Sequence, residues 1–459
     1  MIEKYYDGAI EQVAAGLGTV EKNYLLVRYS GQFSVENLND TKQLEKNEDI
    51  FVQVHEFETG EITCAYEPYL TMICDGFRRY MTGTFEEFME TCDVYYLHRP
   101  VLLGYFNQDN TGREEIILLD EVAYEQERML AALERMLCAI ADRHPVLFVL
   151  NRFQLASKST MQLTARFLKC ENCNIGLVLG VSDIQAMPEF LVPDWEMLYE
   201  TLDDGSKIYH IGNSGRKKEE TIDDEKYVDY GSEKVYRKLQ NMVEFLDFDQ
   251  AAYYLETIER KIKFDNLLVD DAARFRMWLL FVKVSILRQD IPKALEICED
   301  LEKIHLAGKE EECAYEQDYL IATAYMYQGK LKEALEMAGE TYRIAGKMSD
   351  DYRMFLSELL EAKIQMSGWY NIFFCAQDVK IKESLIQNLI RYNYRNHLAH
   401  VYIYAYDNKP EIVKKANQSE ELLIYFSRGI RIAKKLGNEY LINMASVSYT
   451  HLTLPTTSR

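Results

Sequence analysis

Two periodicities divide the chain. From about residue 23 to 212, short apolar runs of strand length alternate with amphipathic stretches, whereas beyond 226 apolar residues recur at helical spacing almost throughout. The strand-like runs are 24–29 (YLLVRY), 50–55 (IFVQVH), 146–150 (VLFVL), 175–181 (IGLVLGV) and 207–211 (KIYHI). Two of them, 146–150 and 175–181, are apolar without alternation, the pattern of strands covered on both faces. They predict βα units around a parallel sheet with helices on both sides. Between strands, 121–144 sets Met129, Leu133, Met136, Leu137 and Ile140 at helical spacing and stops at Pro145, which cannot continue a helix. That segment is expected to pack on the sheet. The stretch TFEE at 84–87 predicts a capping box, Thr84 serving the first amides and Glu87 reaching back.

The segment 213–226, NSGRKKEETIDDEK, is charged and poor in apolar side chains, which predicts a domain boundary. The expected organisation is an α/β domain over 1–212, a linker over 213–226 and an all-α repeat domain over 227–446. Internal repeats support the last. YQGKLKEALEMA (327–338) aligns with LRQDIPKALEIC (287–298), placing Ala294 and Ala334 forty residues apart. LDFDQAAYYLETI (246–258) offers Ala251 in the same role, and MSGWYNIFFCAQ (366–377) places Gly368 thirty-nine residues beyond Gly329, with Phe373 where the small residue would be. A helical pair of this size cannot bury its apolar face alone, so stacked pairs forming a solenoid are expected.

Composition narrows the function classes. At 459 residues and 48% hydrophobic content the chain can build sizeable cores. No apolar run reaches the roughly 18 residues of a membrane span. The opening MIEKYYDGAIEQ lacks the basic and apolar regions of a secretory signal, and a cytoplasmic location is expected. The net charge of −22 disfavours a phosphate backbone or an anionic membrane surface as partner. Nine cysteines are scattered through the chain; Cys170 and Cys173 form one CxxC, but a zinc site needs two further ligands and no second pair exists. His397 and His400, at i and i+3 of a helical stretch, lack a third ligand in the same way and are expected to be packed or solvated. No metal is expected. The ending 447–459, VSYTHLTLPTTSR, is Thr-rich after a helix-periodic run and resembles a translated sequencing adapter. It is expected to be an artefact tail, with the natural chain continuing in other sequence.

The order of elements over 20–212 resembles the AAA-like NTPase domain of STAND-type signalling regulators, which carry tetratricopeptide repeats behind it. Two stretches bear the resemblance. In the family a strand runs into a phosphate loop as LLVxxxGxGKT. In LLVRYSGQFSV, Gly31 keeps the middle glycine, while Arg28, Phe33, Ser34 and Val35 replace the first glycine, the third glycine, the lysine and the magnesium-binding hydroxyl. RHPVLFVLNRFQLASKST (143–160) is similar to the family's Walker B segment, with Asn151 and Arg152 where the acidic pair would be. FETGEITCAYEPYLTMI also resembles the family's tyrosine-proline segment, through Tyr66 and Pro68. The helical half is similar to the lengthened repeats behind such domains: Trp278, Ala322 and Tyr325 match tetratricopeptide helix A positions.

A phosphate loop works through glycines that let amides close around phosphate, a lysine, and a hydroxyl on magnesium. Hydrolysis needs carboxylates for the metal and the attacking water. The degenerate site Arg28, Gly31, Ser34, Val35, Asn151 and Arg152 lacks the lysine, the hydroxyl and both acids, so no catalytic residue and no cofactor is expected, with ATP retained only weakly if at all. The reading is a P-loop-NTPase-like α/β domain followed by a tetratricopeptide-type solenoid: a non-catalytic signalling protein that binds a protein or peptide on the inner face of its repeats. Extrapolating the repeat register places Tyr319, Thr323, Met326 and Tyr327 on that face, with Lys283 and Ile286 in the preceding repeat; the competing reading makes the aromatics and Met repeat core. The resemblance further implies an output domain, a diguanylate cyclase or a DNA-binding domain. Two alternatives stay open, an ATP-dependent switch with divergent motifs and a plain scaffold.

Overall fold

The computed structural model describes residues 2–17, 24–29, 49–58, 61–109, 121–170, 174–182, 187–202, 208–211, 229–265, 267–366, 382–407 and 416–453. The chain divides into two compact units. The first comprises Met1–Val94, His98–Gly112 and Glu125–Asn266; the second comprises Tyr95–Leu97, Arg113–Tyr124 and Leu267–Arg459.

The first unit is built on five parallel strands, β1 (Tyr24–Tyr29), β2 (Phe51–Glu56), β3 (Val146–Asn151), β4 (Ile175–Ser182) and β5 (Ile208–Ile211), in the order β2-β3-β4-β1-β5. All five expected strands are present and parallel. The alternation of side chains sorts the core into two layers. On one face α1 (Ile2–Gly16) lays Ala9, Ile10 and Val13 against Leu25, Val27 and Tyr29 of β1, Leu147 and Val149 of β3, and Val178 of β4. On the other, Phe148 of β3 meets Tyr69 of α2 (Tyr69–Tyr80) edge to face at 4.7 Å, and Tyr69 meets Phe167 of α6 (Lys158–Lys169) at 5.4 Å. The helices α3 (Phe85–Thr91), α4 (Arg99–Asn107), α5 (Val122–Ala141) and α7 (Val192–Leu202) complete the connections between strands. Thr84 and Glu87 form the expected capping box at the start of α3. Met129, Leu133, Met136, Leu137 and Ile140 of α5 are all buried.

Two helices beyond the expected boundary also belong to this unit: α8 (Glu233–Glu244) and α9 (Phe248–Phe264). The expected linker 213–226 lies outside the described residues, and the compact units divide after Asn266. The cause is a polar joint. The Tyr254 hydroxyl accepts from the Thr63 amide at 3.1 Å, Asp247 accepts from the Ser159 amide at 3.0 Å, and Lys158 pairs with Asp249.

The second unit is helical: α10 (Asp271–Leu287), α11 (Ile291–Leu301), α12 (Glu310–Gln328), α13 (Leu331–Lys347), α14 (Asp351–Met366), α15 (Glu383–Arg391), α16 (Arg395–Asp407), α17 (Ala416–Leu436) and α18 (Glu439–Thr453). One turn recurs at five of the junctions between described helices. A left-handed residue stands at Gln289, Gly329, Ser349, Asn393 and Gly437, and the next residue's amide reaches back to the carbonyl five positions earlier, at 2.8 to 3.0 Å. This is the six-to-one bond of a Schellman turn. At Asp290, Asp350 and Asn438 that next residue also caps the following helix with its side chain, so three residues end one helix and start another. The turn at Leu246–Asp247, between α8 and α9, repeats the device. Ala251, Ala294 and Ala334 each stand five residues after the left-handed residue and are fully buried, as the repeat alignment requires. Gly368 and Phe373 lie outside the described residues. Over 447–453 the backbone continues α18, and 454–459 are not described.

Among the described residues no helix is long and apolar enough to cross a membrane.

Candidate functional site

In an open parallel sheet, ligands bind beyond the carboxyl ends of the strands, where the outgoing connections part. Here β1 leads to β2 across β4 and β3, while β4 leads to β5 across β1, so the parting lies between β1 and β4. Four of the residues that end these strands or follow them form one polar group. The Tyr29 hydroxyl, ending β1, donates to Oδ1 of Asn151, ending β3, at 2.7 Å, spanning β4. Arg152, held left-handed at φ 52°, sets its Nε 3.4 Å from Oε1 of Glu56, the residue ending β2 and opposite Asn151 in register. Burial pushes the Tyr29 phenol up to about 12, Glu56 adding to the effect, while Arg152 and the hydrogen bond with Asn151 oppose it. Tyr29 therefore stays protonated and a donor at any ordinary pH.

The residues expected at a degenerate nucleotide site are placed as follows. Asn151 is fully buried and engaged by Tyr29, and Arg152 is engaged by Glu56. Arg28 precedes Tyr29 in β1 and so projects to the opposite face, where its guanidinium carbon lies 5.2 Å from the ring centre of Tyr199 in α7. The structure thus does not bring Arg28 together with Asn151. Gly31, Phe33, Ser34 and Val35 lie outside the described residues. A magnesium triphosphate does not fit what is described at this edge: the strand ending that should offer a carboxylate offers an amide, and the carboxylate of Glu56 already faces a guanidinium. Tyr66 and Pro68 sit on the segment leading into α2, where the Tyr66 amide donates to Ser159 Oγ and the Glu67 carbonyl accepts from Thr160 Oγ1.

Sequence reasoning missed Tyr29, Glu56 and the joint around Asp247. Asp247 is buried at the N-termini of two helices, accepting from the Ser159 amide of α6 at 3.0 Å and the Gln250 amide of α9 at 3.4 Å. Its pKa is raised because burial outweighs those bonds. Lys158, beside it, pairs with Asp249 and lies 3.9 Å from Asp194, whose other oxygen accepts from Gln162. The aspartates that follow left-handed residues at Asp247, Asp290 and Asp350 share no residue before them, Leu246, Gln289 and Ser349, so the sequence carried no signal for the joint beyond the aspartates themselves.

In the helical unit the expected partner face is only partly outward. Lys283 is exposed and Tyr327 is 38% exposed. Ile286 is 5% exposed and belongs to the core of α10, which corrects the expectation that it meets a partner. Tyr319 stacks on Tyr315 at 6.0 Å, and burial raises its phenol pKa; Met326 packs on the Ala322, Leu331 and Ala334 cluster. Thr323 spends its hydroxyl on the Tyr319 carbonyl at 2.8 Å. Repeat core is the better description of Tyr319 and Met326.

His397 and His400 are buried side by side on α16, and both are driven below the ordinary imidazole range by desolvation, with Lys363 adding to it. Among the described residues no group of three or more His, Cys, Asp or Glu is placed to hold a metal; Cys173 is not described. Compared with known protein families and with curated proteins, the chain matches none.

Proposed function

We infer that this chain is a non-catalytic regulatory protein, with a head that keeps the architecture of a nucleotide switch and a tetratricopeptide-type array that takes a protein or peptide segment. One observation carries the reading: at the end of β3, where the resemblance calls for two acids, Asn151 is buried against the Tyr29 hydroxyl and Arg152 faces Glu56. Neither group can accept a proton from water, the guanidinium cannot hold a metal, and the amide oxygen that could is engaged by Tyr29. The parallel sheet with β1 between β4 and β5, and the recurring Schellman turns with Ala294 and Ala334 in register, support the two halves of the assignment. Lys283 and Tyr327 are the expected partner-face residues that remain outward, and partner contact is assigned to them.

Calorimetric titration of the whole chain with magnesium ATP tests the head. The expected result is no magnesium-dependent binding and no phosphate release. Micromolar, magnesium-dependent binding with turnover would establish the alternative, a working switch with divergent motifs. Asn151→Asp is expected to restore neither, because a carboxylate there would be buried between Tyr29 and the Glu56 charge.

A further inference from the structure

Arg28 stands apart from the other half-buried arginines of the sheet unit. Arg99, Arg128, Arg152 and Arg166 each hold a carboxylate. The Arg28 guanidinium has neither an ion pair nor a hydrogen-bond acceptor among the described residues, and its Nε is buried without a partner. This occurs in a chain of 74 acidic and 52 basic residues, where carboxylates are plentiful. Its only described neighbour of note is the Tyr199 ring, 5.2 Å from the guanidinium carbon. A guanidinium stacked on a ring is held with its fork of donors in one plane. Arg28 pairs in register with Val181 of β4 and His210 of β5, so it stands at the carboxyl end of the strand that the outgoing connections part around.

The geometry points to a metal-independent anion site at Arg28, on the α7 side of the sheet, that takes an oxyanion presenting two coplanar oxygens. A phosphate group and a carboxylate share that chemistry, and either would satisfy two N–H donors of the fork at once. The site is separate from the Tyr29–Asn151 pair, since adjacent residues of a strand face opposite ways. It does not rest on the silent-head reading: a site of this kind needs no magnesium and no acid at the end of β3.

The test is titration of the whole chain with inorganic phosphate and, separately, with acetate, in the presence of a chelator, followed by calorimetry and by tyrosine fluorescence. Saturable binding of either anion is expected, weakened roughly tenfold or more in Arg28→Gln. In Arg28→Lys, which keeps the charge and loses the fork, a loss of roughly threefold to tenfold is expected. Tyr199→Leu should weaken it as well. Whichever anion binds more tightly identifies the source of the oxyanion. Wild-type protein that binds neither anion overturns the proposal, and so does binding that both Arg28→Gln and Arg28→Lys leave unchanged. Magnesium-dependent ATP binding that survives Arg28→Gln would instead overturn the silent head while leaving this question to the chelated titrations.

Discussion

Acid should loosen the helical unit through two histidines. His400 is buried on α16, near Lys363 and His397, and desolvation brings its pKa from 6.5 down to about 3. The unfolded chain therefore binds the proton first as pH falls. Stability from the neutral ring is complete above 6.5 and is lost progressively between 6.5 and 3. At about pH 4.5, two units below the unfolded value, the loss is about 2.7 kcal/mol, taking 1.36 kcal/mol per unit. His397 is shifted in the same direction from beneath the Tyr394 ring, 5.3 Å away, and adds a loss of the same sign. Carboxylates also titrate in this window, so the measurement is a difference: urea unfolding of wild type and of His400→Gln at about pH 7 and about pH 4.5, with hydrogen exchange on α16 to localise the opening. The variant should lose about 2.7 kcal/mol less than wild type between the two conditions. Equal losses in both proteins would mean that His400 is not held neutral by burial, and the reasoning would fail.

Other expectations follow from single contacts. Tyr29→Phe removes the donor that engages buried Asn151 and should cost about 1–3 kcal/mol in urea unfolding, whereas Tyr29→Phe with Asn151→Leu should cost clearly less than the sum of the two single changes. A Cβ at Gly429 of α17 would lie 2.9 Å from the Ala399 carbonyl oxygen and 2.8 Å from Ile403 of α16, so Gly429→Ala should lower stability by about 1–3 kcal/mol by forcing the two helices apart. Gly339, inside α13, has open space around the same position, so Gly339→Ala should raise stability by about 0.5–1 kcal/mol. Thermal unfolding that moved these two glycine variants in the same direction would contradict the packing described.

Much of the fold could be read in the chain because burial on both faces writes itself into a strand. Residues 146–150 and 175–181 could be recognised without knowing their neighbours, and β3 and β4 are the strands with every residue buried. Strand order is another matter. Tyr29 and Asn151 are 122 residues apart and meet only because β4 alone separates β1 from β3. No local pattern encodes that, which is why the residue engaging Asn151 went unseen while Asn151 itself was recognised from its motif. The reading of 213–226 as a boundary used charge alone, whereas the joint of Asp247, Ser159 and Lys158, invisible in local sequence, ties the next two helices to the sheet unit.

The partner face failed in one place, and α10 explains it. An outward stripe is legible when a helix has a polar side. On α10 the buried residues include Phe275, Met277, Trp278, Leu280, Phe281, Val282, Val284, Ser285 and Ile286, which cover most of the circumference and leave one narrow outward stripe with Ala272, Arg276 and Lys283 exposed. Register carried over from α12 then selects Ile286 as readily as Lys283, since each stands forty residues before its counterpart, Met326 and Thr323. Position on the helix and charge separate them: Lys283 shares the exposed stripe with Arg276, Ile286 does not, and a lysine seldom goes into a core unpaired. Tyr327 stands exposed in the same way, at the last turn of α12 before Gly329. What the sequence does not show is the turn itself, which recurs after forty residues from Gln289 to Gly329, twenty from Gly329 to Ser349, and forty-four from Ser349 to Asn393 and from Asn393 to Gly437.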